Sequence, residues 1–284
     1  MKLLNLKLTI MKGKPVDDLD LTIAIPTYNR KAALEKTVDD LIAFGFVANP
    51  NIRICIIDNH SNYAVKEILT KRGVESSIDL IVNSHNYGLG ANVMECFRTC
   101  ATPWLWVLGD DDSILANSLE MIMNCIREAS PEVLCINFSS AHGINRKDEL
   151  VGDLELLSKQ ASFSNLLFLS SNIFNAPQLK QFSEFGYRSC FFHMPHTSML
   201  LCSFIEEQGH RVWLKMGAIV QANLDYRELT WSKSEMHKIR TYYPVIFGFA
   251  NPKDLRLISR FATKGYGLYS RIFHFLVRAK KYFT

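Results

Sequence analysis

Short apolar runs alternate with segments of helical periodicity along the first half of the chain, and this alternation limits the folds open to it more than any other feature. Five runs of five or six residues have the length and composition of strands buried on both faces. They are Leu21 to Ile25, Ile52 to Ile57, Ile78 to Val82, Trp104 to Leu108 and Val133 to Asn137. The pattern predicts an α/β fold, a Rossmann-like, mostly parallel sheet covered by helices, over residues 20 to about 138.

The segments between the runs carry apolar residues at helical spacing. These residues are Ala33, Leu34, Val38, Leu41 and Ile42, then Val93, Phe97 and Cys100, and finally Leu115, Leu119, Ile122 and Ile126. Asn117 and Glu120 have the spacing of a capping box, which predicts a helix that begins just after Asn117.

Three consecutive aspartates, Asp110 to Asp112, follow the fourth apolar run and Gly109. Carboxylates crowded at the end of a buried strand repel one another unless a cation neutralises them, and hard divalent cations prefer carboxylate oxygens. The triplet therefore predicts a divalent metal site. The alternative is an acidic turn or a helix cap.

Polar residues also follow the first two runs, as Pro26-Thr27-Tyr28-Asn29-Arg30 and Asp58-Asn59-His60-Ser61. The carboxyl ends of parallel strands meet at one edge of a sheet, where ligands bind. We therefore expect Asp58 to accept hydrogen bonds from a nucleotide base or ribose, with Thr27 flanking the base. An ordinary turn is the alternative for Asp58 and Asn59.

Four motifs in this order resemble those of the family 2 glycosyltransferases, which have the GT-A fold. The motifs are Ile23-Ala24-Ile25-Pro26-Thr27-Tyr28-Asn29-Arg30, Ile56-Ile57-Asp58-Asn59-His60-Ser61, Asn86-Tyr87-Gly88-Leu89-Gly90-Ala91-Asn92 and Trp106-Val107-Leu108-Gly109-Asp110-Asp111-Asp112. The resemblance covers about residues 20 to 130. The Gly-Asp-Asp-Asp form and the segment Ser170-Ser171-Asn172-Ile173-Phe174 are similar to the abequosyltransferase-like O-antigen enzymes.

The resemblance implies transfer of a sugar from a UDP-, CDP-, GDP- or dTDP-linked donor, usually with Mg²⁺ or Mn²⁺, in bacterial surface-polysaccharide synthesis. A cation suits that chemistry because the leaving group is a diphosphate whose growing charge must be neutralised. The implied nucleotide-sugar-binding residues are Pro26, Thr27, Tyr28, Arg30, Asp58, Asn86, Gly88, Asn92, Asp110 and Asp111.

Two registers are open for the metal ligands. Many family members have Asp-x-Asp-Asp, and Gly109 stands where the first aspartate usually does. In that register Asp111 and Asp112 match the residues that contact ribose and metal. A plain Asp-x-Asp motif selects Asp110 and Asp112 instead, so Asp112 is common to both.

Gly88-x-Gly90 lacks the third glycine of a dinucleotide-binding fingerprint and follows the third apolar run. It also has no acidic ribose ligand about 20 residues later. We interpret it as a glycine-relieved turn before a helix.

The catalytic base is expected in the second half of the chain, where the family usually places a Glu-Asp pair that opens a helix. No such pair is present, and the comparable segment runs from Phe192 to Leu201. Pro195 suits the first turn of a helix, which puts His196 near its start, and an imidazole pKa of about 6.5 suits a base. His196 is the predicted base, with a core or capping histidine as the alternative and Glu184 and His193 as competitors.

The length of 284 residues and a hydrophobic fraction of 48% permit one large α/β domain. We assign residues 1–250 to a GT-A domain, with 20–138 as the nucleotide-sugar-binding half and 139–250 as the acceptor-binding half. Residues 251–284 form a basic helical extension. The seven cysteines show no metal-like spacing and predict reduced, buried thiols in the cytoplasm.

The net charge of +4 comes from the C-terminus, because residues 255–284 contain seven Lys and Arg and no acid. This distribution argues against a nucleic-acid-binding core. From Gly267 to Phe283, basic and apolar residues gather on different sides, as in an interfacial helix. No apolar run is long enough to span a membrane. We therefore expect peripheral attachment to the anionic inner face of the cytoplasmic membrane, where a polyprenyl-diphosphate-linked acceptor would lie.

The chain lacks the Gln-x-x-Arg-Trp motif of processive family 2 synthases and has no apolar run that would span a membrane. Both features favour one sugar transfer per encounter over processive synthesis. Two other functions stay open: a sugar nucleotidyltransferase and a sugar-nucleotide-binding subunit without a base. A nucleotidyltransferase usually has a glycine-rich, basic loop after the first strand, and Pro26 to Arg30 is not such a loop.

Overall fold

One mixed sheet organises the part of the chain that the structure describes. The computed structural model describes residues 19–140, 146–222 and 247–263. Its strands are β1 (Leu21–Thr27), β2 (Ile52–Asp58), β3 (Ile78–Val82), β4 (Trp104–Val107), β5 (Ser113–Ile114), β6 (Val133–Asn137), β7 (Leu150–Gly152), β8 (Asn172–Asn175), β9 (Arg211–Leu214) and β10 (Val220–Gln221). Eight of them form the sheet β3-β2-β1-β4-β8-β6-β9-β7, and β5 pairs with β10.

Helices connect and cover the strands. They are α1 (Lys31–Ala43), α2 (Val65–Arg72), α3 (Leu89–Thr99), α4 (Ser118–Glu128), α5 (Leu154–Gln160), α6 (Phe163–Leu167), α7 (Ala176–Lys180), α8 (Ser183–Arg188), α9 (Pro195–Glu206) and α10 (Pro252–Thr263). Short 3₁₀ turns occur at Leu169–Ser171 and Cys190–Phe192.

The five apolar runs are strands that begin at the predicted residues, and β1 pairs in parallel with both β2 and β4. Alternate residues of β1 enter different cores. Ile23 and Ile25 pack in the cluster that contains residues of α1 and α4, whereas Ala24 packs in the cluster that contains residues of α3. Burial on both faces explains why the run is continuously apolar, and the predicted α/β class is confirmed.

The sheet contains an antiparallel strand that the sequence did not predict. β8 inserts between β4 and β6 and runs antiparallel to both. The sequence did not indicate a strand there, because Asn172 and Asn175 flank only two apolar residues. Tertiary contacts make Asn172 tolerable, since its amide donates to the carbonyls of Leu166 (3.1 Å) and Phe168 (2.7 Å).

Helix α4 begins after Asn117 as predicted, but the capping box does not form. The Asn117 backbone has φ −90° and ψ 2°, and its side chain makes no capping hydrogen bond. A capping side chain needs an extended backbone to reach the first helical turn. The hydroxyl of Ser118 instead donates to the carbonyl of Ile219 (2.5 Å).

The described part of the C-terminal extension belongs to the core. In α10 the residues Ile258, Phe261 and Ala262 are fully buried, and the ring of Phe261 meets that of Phe163 edge to face at 5.2 Å. The predicted interfacial helix, 267–283, lies outside the described residues. Within the described ranges, no helix has the length and apolar character needed to cross a bilayer.

All seven cysteines are free thiols, and six of them are buried.

Candidate donor-binding site

The ends of β1 and β4 are joined by side chains at the carboxyl edge of the sheet. Thr27 donates its hydroxyl to Oδ2 of Asp110 at 2.7 Å, and Thr37 of α1 donates to the Asp110 carbonyl at 2.9 Å. Asp110 is only 3% exposed. Burial raises its pKa to about 6, against the opposing effects of the Thr27 hydrogen bond and the Arg30 charge. Asp110 is therefore the innermost of the three carboxylates.

Arg30 bridges two of the aspartates. Its Nη1 lies 3.1 Å from Oδ1 of Asp110 and 2.7 Å from Oδ2 of Asp111. Both oxygens of Asp110 thus accept hydrogen bonds from the protein. This arrangement relieves the repulsion between adjacent carboxylates.

Asp112 has a different partner, in the second half of the chain. Oδ2 of Asp112 accepts a hydrogen bond from the hydroxyl of Ser170 at 2.5 Å. A β-carbon on Gly109 would lie 2.6 Å from that oxygen and 3.2 Å from Oδ1 of Asp111. The absence of a β-carbon at position 109 therefore gives these two side-chain oxygens room close to the backbone.

Asp58 closes its own turn and remains at the strand edge. Its Oδ1 accepts a hydrogen bond from the backbone N–H of Ser61 at 2.9 Å, so the turn predicted as an alternative does form. The N–H of Asn59 donates to the carbonyl of Thr27 at 2.9 Å. The ends of β1 and β2 are therefore fixed beside each other.

A network of asparagines fixes the segment that precedes α3. Nδ2 of Asn59 donates to Oδ1 of Asn86 at 2.7 Å, and Asn83 donates to both Asn59 and Asn92 at 3.0 Å. Oδ1 of Asn86 also accepts the N–H of Gly88 at 2.8 Å. Sequence reasoning named Asn86, Gly88 and Asn92, but missed the central roles of Asn59 and Asn83 because short polar residues at strand ends are typical of ordinary turns.

Gly88 and Gly90 are each required to be glycine for a different structural reason. Gly88 precedes α3 with φ 82°, a conformation that favours glycine. A β-carbon on Gly90 would lie 2.7 Å from Cα of Cys190, so glycine lets the 190–192 turn approach the start of α3. These contacts support the interpretation as a turn before a helix.

The remaining first-motif residues differ in exposure. Pro26 is buried inside β1, opposite Ile57, and its side chain is therefore not presented at the edge. Tyr28 follows the last residue of β1 and is 42% exposed. Tyr63, which sequence reasoning did not name, is partly buried near Thr27, and this burial raises the pKa of its phenol.

The placement of His196 argues against the predicted role of base. His196 does lie in the first turn of α9, but it is 1% exposed. Its Nε2 is 3.3 Å from the carbonyl of Leu166 and its ring is 5.9 Å from that of Phe174. Burial lowers its pKa to about 4. This is the core histidine that the sequence left as an alternative.

The two competing bases differ in their surroundings. Glu184 is exposed and forms an ion pair with Arg188. His193 has φ 55° and ends the 190–192 turn, which packs against the start of α3. Partial burial lowers the pKa of His193. Burial thus favours the neutral form of its imidazole, which is the form that can accept a proton.

Comparison with known proteins decides the family. The profile described as Glycosyl transferase family 2 matches residues 22–207, most of the chain. The chain belongs to this family. The resemblance of the four motifs is thereby confirmed, and the GT-A expectation agrees with the observed mixed sheet.

Two curated relatives match part of this glycosyltransferase chain. Abequosyltransferase RfbV of Salmonella typhimurium (strain LT2) is 28% identical over 117 residues, which are 40% of this chain and 35% of that protein. An uncharacterized glycosyltransferase of Haemophilus influenzae is 26% identical over 113 residues, 40% of this chain and 36% of that protein. The matched region thus spans about a third of the length of these relatives.

Solved structures share the fold at low identity. TarS 1-349 of S. aureus, in complex with UDP-GlcNAc, has a TM-score of 0.61 and 11% identity, covering 88% of this chain and 73% of that one. The mannosyltransferase PcManGT from Pyrobaculum calidifontis, in complex with GDP-Man and Mn²⁺, has a TM-score of 0.61 and 11% identity, covering 96% and 78%. At these identities the likeness shows the fold alone.

The donor atoms of the family 2 chain fit a divalent cation that shares its coordination with a substrate. Among the described residues, no three His, Cys, Asp or Glu side chains converge to hold a metal alone. Mg²⁺ is typically bound by one or two carboxylates together with substrate phosphates. Asp111 and Asp112, which each have a carboxylate oxygen close to Gly109, are the residues that would supply the carboxylates of such a site.

Proposed function

We propose that this family 2 protein transfers one sugar residue from a nucleotide-sugar donor to a saccharide or lipid-linked acceptor in bacterial surface-polysaccharide synthesis, of O-antigen or capsule. The observation that carries the proposal is the carboxylate cluster at the end of β4, tied to β1 by Thr27 and Arg30. The relative named as an abequosyltransferase and the fold neighbours solved with UDP-GlcNAc and GDP-Man support it.

The nucleoside would lie over the ends of β1 and β2. Asp58 is held by its turn beside Thr27 and offers a carboxylate to ribose or base. Tyr28 is exposed enough to stack on a base. The start of α3, fixed by the asparagine network, provides backbone N–H groups for a phosphate.

The hydrogen bonds of Asp110 favour Asp111 and Asp112 as the metal ligands. Thr27 and Arg30 occupy both oxygens of Asp110, so its part is to hold the loop and Arg30 in place. A bound Mg²⁺ or Mn²⁺ would supply positive charge to the leaving diphosphate. Arg30 lies beside the same carboxylates and would add a second positive charge there.

In an inverting transfer a side chain takes the proton of the acceptor hydroxyl. We propose His193 rather than His196 for this role, because His193 is only partly buried and ends the turn that packs against α3. Replacing His193 by Ala should lower turnover by roughly 10² to 10⁴ with little change in donor affinity. His196→Gln is the matched control and should leave turnover within a few fold if it folds.

The proposal is tested by thermal stabilisation of the protein with UDP-, CDP-, GDP- and dTDP-sugars, each with Mn²⁺ and with EDTA. A ligand that binds only the folded form raises the melting temperature by mass action. The donor that stabilises most is then incubated with acceptor glycans and the products are identified by mass spectrometry. Metal-dependent stabilisation followed by release of nucleoside diphosphate supports transfer. Turnover of a sugar 1-phosphate with a nucleoside triphosphate would instead identify a nucleotidyltransferase, and donor binding without transfer or hydrolysis would identify a binding subunit.

A further inference from the structure

Ser170 lies beneath the aspartate triplet although it is far from it in sequence. It belongs to the turn before β8, the strand inserted next to β4, and is 1% exposed. Its hydroxyl touches two parts of the Gly109 to Asp112 loop. The N–H of Gly109 donates to Oγ at 2.8 Å, and Oγ donates to Oδ2 of Asp112 at 2.5 Å.

These two contacts fix the direction of the hydroxyl proton. A backbone N–H can only donate, so Oγ of Ser170 acts as acceptor toward Gly109. An ionised carboxylate can only accept, so the Ser170 proton points at Asp112. Hydrogen bonds to an ionised acceptor are short and strong, which agrees with the 2.5 Å separation.

The backbone around Ser170 is held from both neighbouring strands. Its carbonyl accepts the indole N–H of Trp106 on β4 at 2.9 Å. The next carbonyl, of Ser171, accepts the N–H of Phe138, which follows β6, at 2.8 Å. The backbone that carries the Ser170 hydroxyl is therefore fixed by contacts outside the Gly109 to Asp112 loop.

We infer that Ser170 is a positioning residue that fixes the carboxylate of Asp112 for metal and diphosphate binding. The inference rests on the proposed function, because it assigns Asp112 to the metal. Ser170 is almost fully buried and would act through Asp112, without touching the metal or the nucleotide. It holds one oxygen of Asp112, which sets the rotation of that carboxylate beside Asp111. Partners that orient metal ligands typically contribute 10- to 100-fold to metal affinity.

The test compares Ser170→Ala with Ser171→Ala. Both serines are buried, but the Ser171 hydroxyl donates only to the carbonyls of Asn165 and Phe168. Mn²⁺ affinity is measured by electron paramagnetic resonance of free Mn²⁺, with UDP, CDP, GDP or dTDP, whichever stabilises the wild type most. We expect Ser170→Ala to weaken Mn²⁺ binding about 10- to 100-fold, Ser171→Ala to change it less than about threefold, and Ser170→Thr to recover most of the loss. Metal-free nucleotide affinity, measured in EDTA, should not change.

The outcomes separate the inference from the proposed function. If the wild type binds Mn²⁺ no better with any of the four diphosphates than without, the assignment of Asp111 and Asp112 to a metal fails together with the positioning role, whereas sugar transfer is tested separately by the product assay. If the wild type binds and Ser170→Ala binds equally well, or if metal-free affinity falls as much as Mn²⁺ affinity, only the positioning role is overturned. Should Ser170→Ala unfold, Ser170→Cys keeps the side-chain volume with a weak donor and gives the same comparison.

Discussion

Nη1 of Arg30 lies 2.7 Å from Oδ2 of Asp111. The same nitrogen contacts Asp110 at 3.1 Å, so one guanidinium balances part of the charge of two adjacent carboxylates. A divalent cation at Asp111 and Asp112 would balance some of the same charge. Since both cations gain from one set of carboxylates, each should reduce the electrostatic gain from the other.

The first prediction concerns this linkage. Arg30→Gln should lower the stability of the metal-free protein by about 1 kcal/mol or less, because the Arg30 side chain is 36% exposed and solvent screens the pair. Millimolar Mn²⁺ should then raise the melting temperature of the variant more than that of the wild type. Arg72→Gln, which removes a surface pair with Asp39, is the control for lost positive charge. An equal Mn²⁺ effect in Arg30→Gln and wild type would contradict the linkage.

Gly109→Ala is expected to disturb the proposed metal site without removing a polar group. The added β-carbon would lie 2.6 Å from Oδ2 of Asp112 and 3.3 Å from Oγ of Ser170, so that carboxylate must move. We expect Mn²⁺-dependent nucleotide affinity to fall roughly 10-fold. Isothermal titration with Mn²⁺ and with EDTA measures it. The metal-free affinity is the internal control, and an unchanged metal-dependent increment would refute the argument.

The aspartates should respond differently to amide substitution. Asp112→Asn and Asp111→Asn should abolish most of the Mn²⁺ dependence of nucleotide binding with little change in melting temperature. Asp110→Asn should lower stability by about 1–3 kcal/mol, because an amide nitrogen would face a donor from Thr27 or Arg30 in a buried site. Urea unfolding and titration calorimetry measure the two effects. Metal dependence lost in Asp110→Asn and Asp112→Asn but kept in Asp111→Asn would support the Asp110 and Asp112 register instead.

Sequence reasoning could predict the strands and the meeting of their polar ends at one edge of the sheet, but not the contacts that depend on packing of the second half of the chain. The strand starts and the Asp110 to Asp112 loop follow from local pattern, because continuous apolar runs and strand-end polar residues have local causes. Ser170 and β8 did not, since a serine 58 positions from Asp112 and a strand with asparagines at both ends owe their roles to tertiary packing.

His196 is a second case in which local pattern did not predict tertiary packing. Its place at the start of a helix was predicted from Pro195, but helix position does not determine burial. Packing against Leu166 and Phe174 turns a suitable base into a core residue. No local pattern of residues distinguishes the two.

The buried His196 should make the protein acid-labile over a defined range. Its pKa is about 4 in the folded state and about 6.5 when unfolded. Above 6.5 both states are neutral and the group has no effect. Below 6.5 the unfolded state gains the proton first, so stability falls by roughly 1.4 kcal/mol per pH unit down to about pH 4.

The measurement is urea unfolding of the wild type and His196→Gln between pH 7 and pH 4. Gln cannot gain a proton in this range but can still donate to the Leu166 carbonyl. The unfolding free energy should therefore fall less steeply with pH in His196→Gln, because about one proton fewer is taken up on unfolding. His85→Gln, at an exposed histidine, is the control. Parallel pH profiles for wild type and His196→Gln would exclude a neutral buried imidazole.

The last prediction is attachment to an anionic membrane through residues 264–284, which lie outside the described residues. This segment contains five of the seven basic residues found in 255–284 and no acid, and each basic residue near an anionic leaflet contributes about 1 kcal/mol. The truncation must follow Thr263, because α10 buries Phe261 in the core. The full chain should co-sediment with phosphatidylglycerol vesicles at low salt and much less at high salt, whereas the truncated chain should stay in the supernatant. Arg256→Gln with Arg260→Gln removes two exposed charges from α10 and should leave sedimentation nearly unchanged. Equal sedimentation of the truncated and full chains would show that the attachment lies elsewhere or does not occur.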